Sequence, residues 1–233
     1  GKTSVMKQLM SQQFDANEPE TKGINIRDLR VKHQDTTIDL HLWDFGGQEY
    51  MHATHQFFLS RRSLYVLVLD GRKEEKKDYW LKVIEAFGGE SPVVVVMNKI
   101  DTNKHFDLNR KFMREKYPSV RDFFRISCAT GEGIAELLTG LSRIASEIEM
   151  VNTQWIKPWF DIKNRLTEIT HDFISYSKFL EICDTQNINE EQEQEVLIEY
   201  LDNLGVLLHF REFDLSDTHI LNPQWVTDAV YRI

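Results

Sequence analysis

Along residues 1–150 the hydrophobic positions switch repeatedly between a helical period and a strand period. Val5, Met6, Leu9, Met10 and Phe14 share one helical face. Residues 15–22 are polar and contain Pro19, which reads as a loop. Ile38, Leu40 and Leu42 then alternate with Asp39, His41 and Trp43, as a half-buried strand requires. Residues 24–31 and 37–45 are therefore predicted as strands, and the short polar stretch between them suits a hairpin. Residues 63–70 and 92–97 are nearly continuous apolar runs, the pattern of parallel strands buried on both faces. Helices are predicted over 53–62, 74–87 and 108–117, with Gly88-Gly89 closing the second. A short strand, 123–126, precedes a long helix over 131–150, in which Ile134, Leu137, Leu138, Leu141, Ile144 and Ile148 line one side. Strands alternating with helices in this way predict a parallel, doubly wound α/β sheet.

The pattern changes at the polar joint 151–154. Trp155, Trp159, Ile162, Leu166, Ile169 and Phe173 line one helical face, with Pro158 in its first turn. A short helix over 178–183 follows. A third helix opens at Asn189 as cap, with Gln192 as its capping-box partner, buries Val196, Leu197, Tyr200, Leu201 and Leu204, and stops at Gly205. Strands over 206–210 and 219–221 flank a polar turn, and 223–231 is a last helix. Helix, helix, helix, hairpin, helix is a winged-helix arrangement. Two domains are expected, 1–150 and 151–233.

Composition narrows the class. Of 233 residues, 41% are hydrophobic and 28% charged, which supports a sizeable core. The longest apolar runs are far too short to span a bilayer, and no charged-then-apolar signal segment opens the chain. Cys128 and Cys183 make no disulfide framework, so a cytoplasmic location is expected. Residues 151–233 carry 6 Lys+Arg against 15 Asp+Glu, which accounts for the whole net charge of −9. The helix from Asn189 to Leu204 bears Glu190, Glu191, Glu193, Glu195, Glu199 and Asp202 and no Lys or Arg. Phosphate would repel it, so a DNA-reading role for the winged helix is set aside and no nucleic-acid partner is expected.

The chemistry-bearing residues stand at strand and helix ends. Gly1, Lys2, Thr3 and Ser4 lead straight into the first amphipathic helix, the second half of a phosphate-binding P-loop. A helix N-terminus offers free N–H groups to phosphate. Lys2 would reach the β- and γ-phosphates and Thr3 would bind Mg²⁺. The full motif needs a glycine five residues before Gly1 and a strand before that, so the chain is expected to be a piece of a longer protein. Thr21, in the loop before the strand predicted over 24–31, suits a second Mg²⁺ ligand or an ordinary strand entry. Asp44, Gly47 and Gln48 form a D-x-x-G-Q pattern: a carboxylate near Mg²⁺, a glycine approaching a γ-phosphate and an amide that orients water. Asn98, Lys99 and Asp101 form N-K-x-D at the carboxyl end of a buried strand, where open α/β sheets bind ligands. An aspartate there can accept from both N1–H and the N2 amino group of guanine, a pair that adenine lacks.

The motif order, with Trp43 through Glu49 and the His-Ala-Thr-His-Gln-Phe-Phe of residues 52–58, resembles a Ras-like P-loop GTPase and, more closely, the Roc domain of Roco proteins. The segment after residue 150 looks like the N-terminal part of a COR domain. The resemblance implies a switch that hydrolyses GTP to GDP with Mg²⁺. Gln48 would be catalytic. Thr3, Thr21 and Asp44 would hold the metal. Gly1, Lys2, Thr3, Ser4, Thr21, Gly47, Asn98, Lys99, Asp101, Ser127, Cys128 and Ala129 would bind guanine nucleotide. Ser127, Cys128 and Ala129 stand in the base-supporting S-A-K loop, where Cys128 replaces the usual alanine and Ala129 the usual lysine. The Cys128 N–H would still reach guanine O6. The resemblance also implies a homodimer through COR and leucine-rich repeats upstream.

One further reading competes, and one is set aside. A nucleotide-stabilised scaffold with negligible turnover is the alternative to the enzyme. His52 and His55, three apart, lack further ligands at zinc spacing and are read as packing or interface residues.

Overall fold

A computed structural model describes residues 1–47, 58–70, 76–148, 156–210 and 218–231. Its contacts divide the chain into two units, Gly1–Asn152 and Thr153–Ile233.

In the first unit, α1 (Lys2–Leu9) is followed by β1 (Ile24–His33) and β2 (Thr36–Phe45), an antiparallel hairpin in which Asn25 faces Asp44. Then come β3 (Tyr65–Asp70), α2 (Lys77–Gly88), β4 (Val93–Asn98), α3 (Arg110–Lys116), β5 (Val120–Arg125) and α4 (Ile134–Ser146). β3, β4 and β5 form a parallel sheet in that order, with Asp70 level with Asn98. Among the described residues no ladder joins β2 to β3, so the strands stand as a hairpin and a three-stranded sheet.

β4 explains the layering. Its five apolar residues, Val93 to Met97, are fully buried. Successive side chains of a strand point to opposite faces. Val93, Val95 and Met97 pack with Leu81 and Ile84 of α2 and Met113 of α3. Val94 and Val96 pack with Val5 and Leu9 of α1 and Leu137, Leu141 and Ile144 of α4. The absence of alternation in the sequence thus records a strand covered by helices on both sides. Each such valine withdrawn from water contributes on the order of 1.5–3 kcal/mol.

Helix ends differ from expectation in ways the backbone explains. α1 stops at Leu9, Ser11 takes a positive φ, and Phe14 lies outside the helix, 41% exposed. α4 begins at Ile134 rather than 131, because Gly133 is in the left-handed conformation. A Cβ on Gly133 would also stand 2.3 Å from the Arg125 carbonyl. At α3 the Asn109 side chain caps the Phe112 N–H at 3.0 Å.

The second unit comprises α5 (Lys157–Thr167), β6 (Phe173–Ser175), α6 (Tyr176–Asp184), α7 (Glu191–Asn203), β7 (Leu208–His209), β8 (Thr218–Ile220) and α8 (Pro223–Tyr231). β6, β8 and β7 form a small antiparallel sheet in that order. Three helices close on it around Ile162, Leu166, Phe179, Ile182, Leu197 and Leu201, a winged-helix-like arrangement. Phe173, expected on the first helical face, instead begins β6 and is 50% exposed beside Trp225. Trp159 does turn inward, meets Tyr200 edge to face and donates its indole N–H to Glu193 at 3.1 Å. The expected Asn189 cap is displaced: Glu190 is the N-cap of α7 and makes no side-chain cap bond. The Gly205 stop holds, with a positive φ and Val206 N–H returning to the Leu201 carbonyl at 3.0 Å.

Both cysteines are free and buried. No helix of the described residues is long and apolar enough to cross a membrane.

Candidate nucleotide-binding site

The N-terminus of α1, the end of β2 and the loop before β1 meet at three side chains. The Thr3 hydroxyl donates to Asp44 Oδ2 at 2.7 Å, and the Thr21 hydroxyl donates to the same oxygen at 3.0 Å. The two hydroxyl oxygens are 2.8 Å apart. The hairpin register makes this meeting possible. β1 pairs with β2 up to Ile24 opposite Phe45, and the Gly46 N–H then donates to the Gly23 carbonyl at 2.8 Å. The segment carrying Thr21 is thereby held beside Asp44.

Asp44 is 5% exposed, and its buried Oδ1 has no hydrogen-bond partner among the described residues. An unpaired buried carboxylate oxygen is costly unless a cation compensates it. A carboxylate beside two hydroxyls is a hard-oxygen donor set of the kind Mg²⁺ takes with water and phosphate. The residues present therefore fit the metal. No group of three or more His, Cys, Asp or Glu among the described residues offers an alternative.

Lys2 lies on the same side. Burial pushes its pKa down, opposed by the Asp44 carboxylate. A Cβ on Gly47 would stand 3.2 Å from the Lys2 ammonium, so the glycine lets the backbone come close to that charge. Ser4 is buried, and its hydroxyl accepts from the Gly1 backbone nitrogen at 3.1 Å. Gln48, His52 and His55 lie outside the described residues.

The second half of the site is built from the ends of β4 and β5. Asn98 is buried, and its Oδ1 accepts from the Lys99 N–H at 2.7 Å and the Cys128 N–H at 3.2 Å. Asn98 thus ties two loops together. The Cys128 N–H, assigned to guanine O6 by resemblance, is engaged with Asn98 here. Ser127, fully buried, donates its hydroxyl to Asp101 Oδ1 at 2.6 Å and accepts from the Thr130 N–H at 3.2 Å. This turns the Asp101 carboxylate and engages one of its oxygens. Ala129 is exposed. Burial first, opposed by the Asn98 hydrogen bond, raises the Cys128 thiol pKa, so the thiol stays neutral at pH 7. Val5 of α1 packs in the same buried cluster as Cys128, which joins the two halves through the core.

Two residues of this region escape motif reading. Gly46 precedes the motif glycine, and a Cβ there would stand 2.7 Å from the Thr21 carbonyl. Asp70, at the end of β3, pairs with the Lys99 ammonium. The doubled glycine was the available signal for the first. For the second it was an acidic residue closing a buried strand.

A parallel sheet with a helix N-terminus, a threonine–aspartate cluster and an Asn-Lys-x-Asp loop at one edge defines a Ras-like GTPase fold. Residues 1–101 match the family described as "Ras of Complex, Roc, domain of DAPkinase", and residues 157–233 match "C-terminal of Roc, COR-A domain". The solved Methanosarcina barkeri Roco2 RocCORdC bound to GDP is 49% identical, with a TM-score of 0.94 over 100% of this chain and 72% of that one. The "Roc-COR-CHAT protease" of Runella zeae is 29% identical over 100% of this chain and 28% of its own length. The "Probable serine/threonine-protein kinase roco5" of Dictyostelium discoideum is 29% identical over 91% of this chain and 8% of its own length. The chain belongs to the Roco family, as a Roc domain followed by the N-terminal part of COR. It spans well under a third of these curated relatives.

Proposed function

We propose that this chain is a guanine-nucleotide switch that hydrolyses GTP to GDP. The observation that carries the reading is the Thr3–Thr21–Asp44 cluster, with its orphaned carboxylate oxygen, beside the N-terminus of α1. Residues 1–150 act as the Roc GTPase and 151–233 as the start of COR.

Thr3, Thr21 and Asp44 hold Mg²⁺, which when bound neutralises charge on the β- and γ-phosphates. Lys2 and the free N–H groups of α1 bind the phosphates. Gly1 and Ser4 shape that end of the helix. Gly47 brings its backbone to the γ-phosphate. Asp101, oriented by Ser127, accepts from the guanine N1–H and N2 amino group. Asn98 braces this loop through the Cys128 N–H, in the loop that carries Ser127 and Ala129 to the base, and Lys99 lays its stem along the ring. Gln48 orients the attacking water. Intrinsic turnover in this chemistry is slow, on the order of 10⁻⁴ to 10⁻² s⁻¹.

The switch segment passes its state to the COR segment, and through COR to a homodimer in the cytoplasm. Leucine-rich repeats precede this region in the parent protein. The GDP bound to the Methanosarcina relative supports the ligand class. GTP turnover measured on the full-length protein and its Gln48→Leu variant tests the reading. Turnover is expected for the first and a loss of at least tenfold for the second. No turnover above buffer in the full-length protein sinks the enzyme and leaves a nucleotide-stabilised scaffold, a reading that the short Ala129 side chain favours.

A further inference from the structure

We propose that Asp70 is a positioning residue for guanine: its carboxylate holds the Lys99 ammonium and so fixes the lysine stem as the wall on which the base lies. The inference deepens the nucleotide-binding reading and rests on it.

Four observations carry it. First, the side chains form an ion pair between Asp70 Oδ2 and Lys99 Nζ, and they are only 22% and 31% exposed. Second, the pair is built by the sheet. β3 and β4 are parallel, with Asp70 level with Asn98, so the two chain ends emerge side by side. A carboxylate on the last residue of β3 therefore stands beside the first residue after β4. Third, Lys99 has φ +66°, a left-handed conformation uncommon for a residue with a Cβ. Its backbone is pinned there on both sides. The Lys99 N–H donates to Asn98 Oδ1 at 2.7 Å, and its carbonyl accepts from the N–H groups of Thr102 at 3.1 Å and Asn103 at 3.0 Å. With the backbone fixed, the remaining freedom of Lys99 is its four-carbon stem, and Asp70 anchors the far end. Fourth, exposed Ala129 in the facing loop offers a methyl group and no long stem. A base held between these loops depends on the Lys99 wall more than it would with a second long side chain opposite.

An unanchored lysine side chain loses rotamer freedom when a ligand immobilises it. Asp70 removes part of that loss before the ligand arrives. The sequence gives Asp70 no motif, because its partner is 29 residues away and meets it only across the sheet.

The experiment measures release of a ribose-labelled fluorescent GDP, chased with excess GDP, from the full-length protein. It compares wild type, Asp70→Asn, Lys99→Met and the double variant. Lys99→Met keeps an apolar stem and removes the charge. Release should accelerate about fivefold in Asp70→Asn, the scale of one partly exposed ion pair. It should accelerate similarly in Lys99→Met, and the double variant should be no faster than Lys99→Met. Asp70→Glu should recover most of the slow release. A purely structural role at the end of β3 would instead accelerate release equally in both Lys99 backgrounds, which overturns the proposal. Unchanged release in Asp70→Asn, within twofold, also overturns it. If Asp70→Asn fails to fold, Asp70→Ser takes its place in the same cycle, and release within twofold of wild type in that variant refutes the anchoring. A wild-type protein that holds no guanine nucleotide defeats the proposed function itself. A wild type that binds while the variants fail to couple defeats only the role of Asp70.

Discussion

Gly46→Ala places one methyl group where the two switch loops touch. A Cβ at this position lies 2.7 Å from the Thr21 carbonyl oxygen and 3.3 Å from that of Gly23, both backbone atoms. Ordinary contact begins near 3.4 Å, so the loops must part by about 0.7 Å. Neither obstacle is a flexible side chain that can swing aside. The Gly46 N–H to Gly23 bond and the Thr21 to Asp44 bond lie within the displaced segment. Lengthening the 3.0 Å Thr21–Asp44 contact by that amount takes it beyond hydrogen-bonding distance. Losing a hydrogen bond to a charged group costs about 1.5–3 kcal/mol, or roughly tenfold to a hundredfold in an equilibrium that depends on it. In a Mg²⁺ titration of labelled-GDP retention by the full-length protein, Gly46→Ala should therefore need at least tenfold more Mg²⁺. Gly47→Ala is the control: among the described residues its Cβ meets the far end of the Lys2 side chain, at 3.2 Å, and it should shift the midpoint less. A folded Gly46→Ala protein with wild-type Mg²⁺ dependence would refute the reasoning.

Two further outcomes concern the second unit. His219 is fully buried, neither ring nitrogen has a hydrogen-bond partner among the described residues, and it packs edge to face on Tyr176 and Phe179 and against His209 across the β7–β8 pair. Burial first, then the neighbouring His209, pushes its pKa down to about 4. The folded state favours the neutral ring, so stability is full above the unfolded pKa of about 6.5, falls as pH drops below it and levels near pH 4. The loss approaches about 3 kcal/mol, and denaturant midpoints for wild type and His219→Phe between pH 7 and 4 should show a shallower acid decline in the variant. Phe179→Ala empties the centre of the same core, where the ring is wholly buried, and should cost about 3–5 kcal/mol, read as a large drop in the thermal midpoint of this unit.

The hydrophobic pattern determined the order of elements because burial on one or two faces writes a period into the chain. The unbroken run of β4 recorded a strand covered on both sides, and it placed Asn98 at the carboxyl end of that strand, where open α/β sheets in general bind ligands. Gly1-Lys2-Thr3, Asp44-x-x-Gly47 and Asn98-Lys99-x-Asp101 were legible because their chemistry depends on short spacings, along one turn or one loop. Three-residue β6 was not legible: such a strand has no period, and Phe173 continued the preceding helical face until the chain turned. The exposed side of α7 likewise showed charge but did not reveal that the cap is Glu190. Tertiary structure alone decided which distant groups meet. The hairpin register brought Thr21 to Asp44, the parallel register set Asp70 beside Lys99, and the β4 and β5 ends joined Asn98 to Cys128 and Ser127 to Asp101. These contacts span 23 to 30 residues of chain. No local pattern encodes them, because they follow from strand order and register, which are properties of the packed sheet.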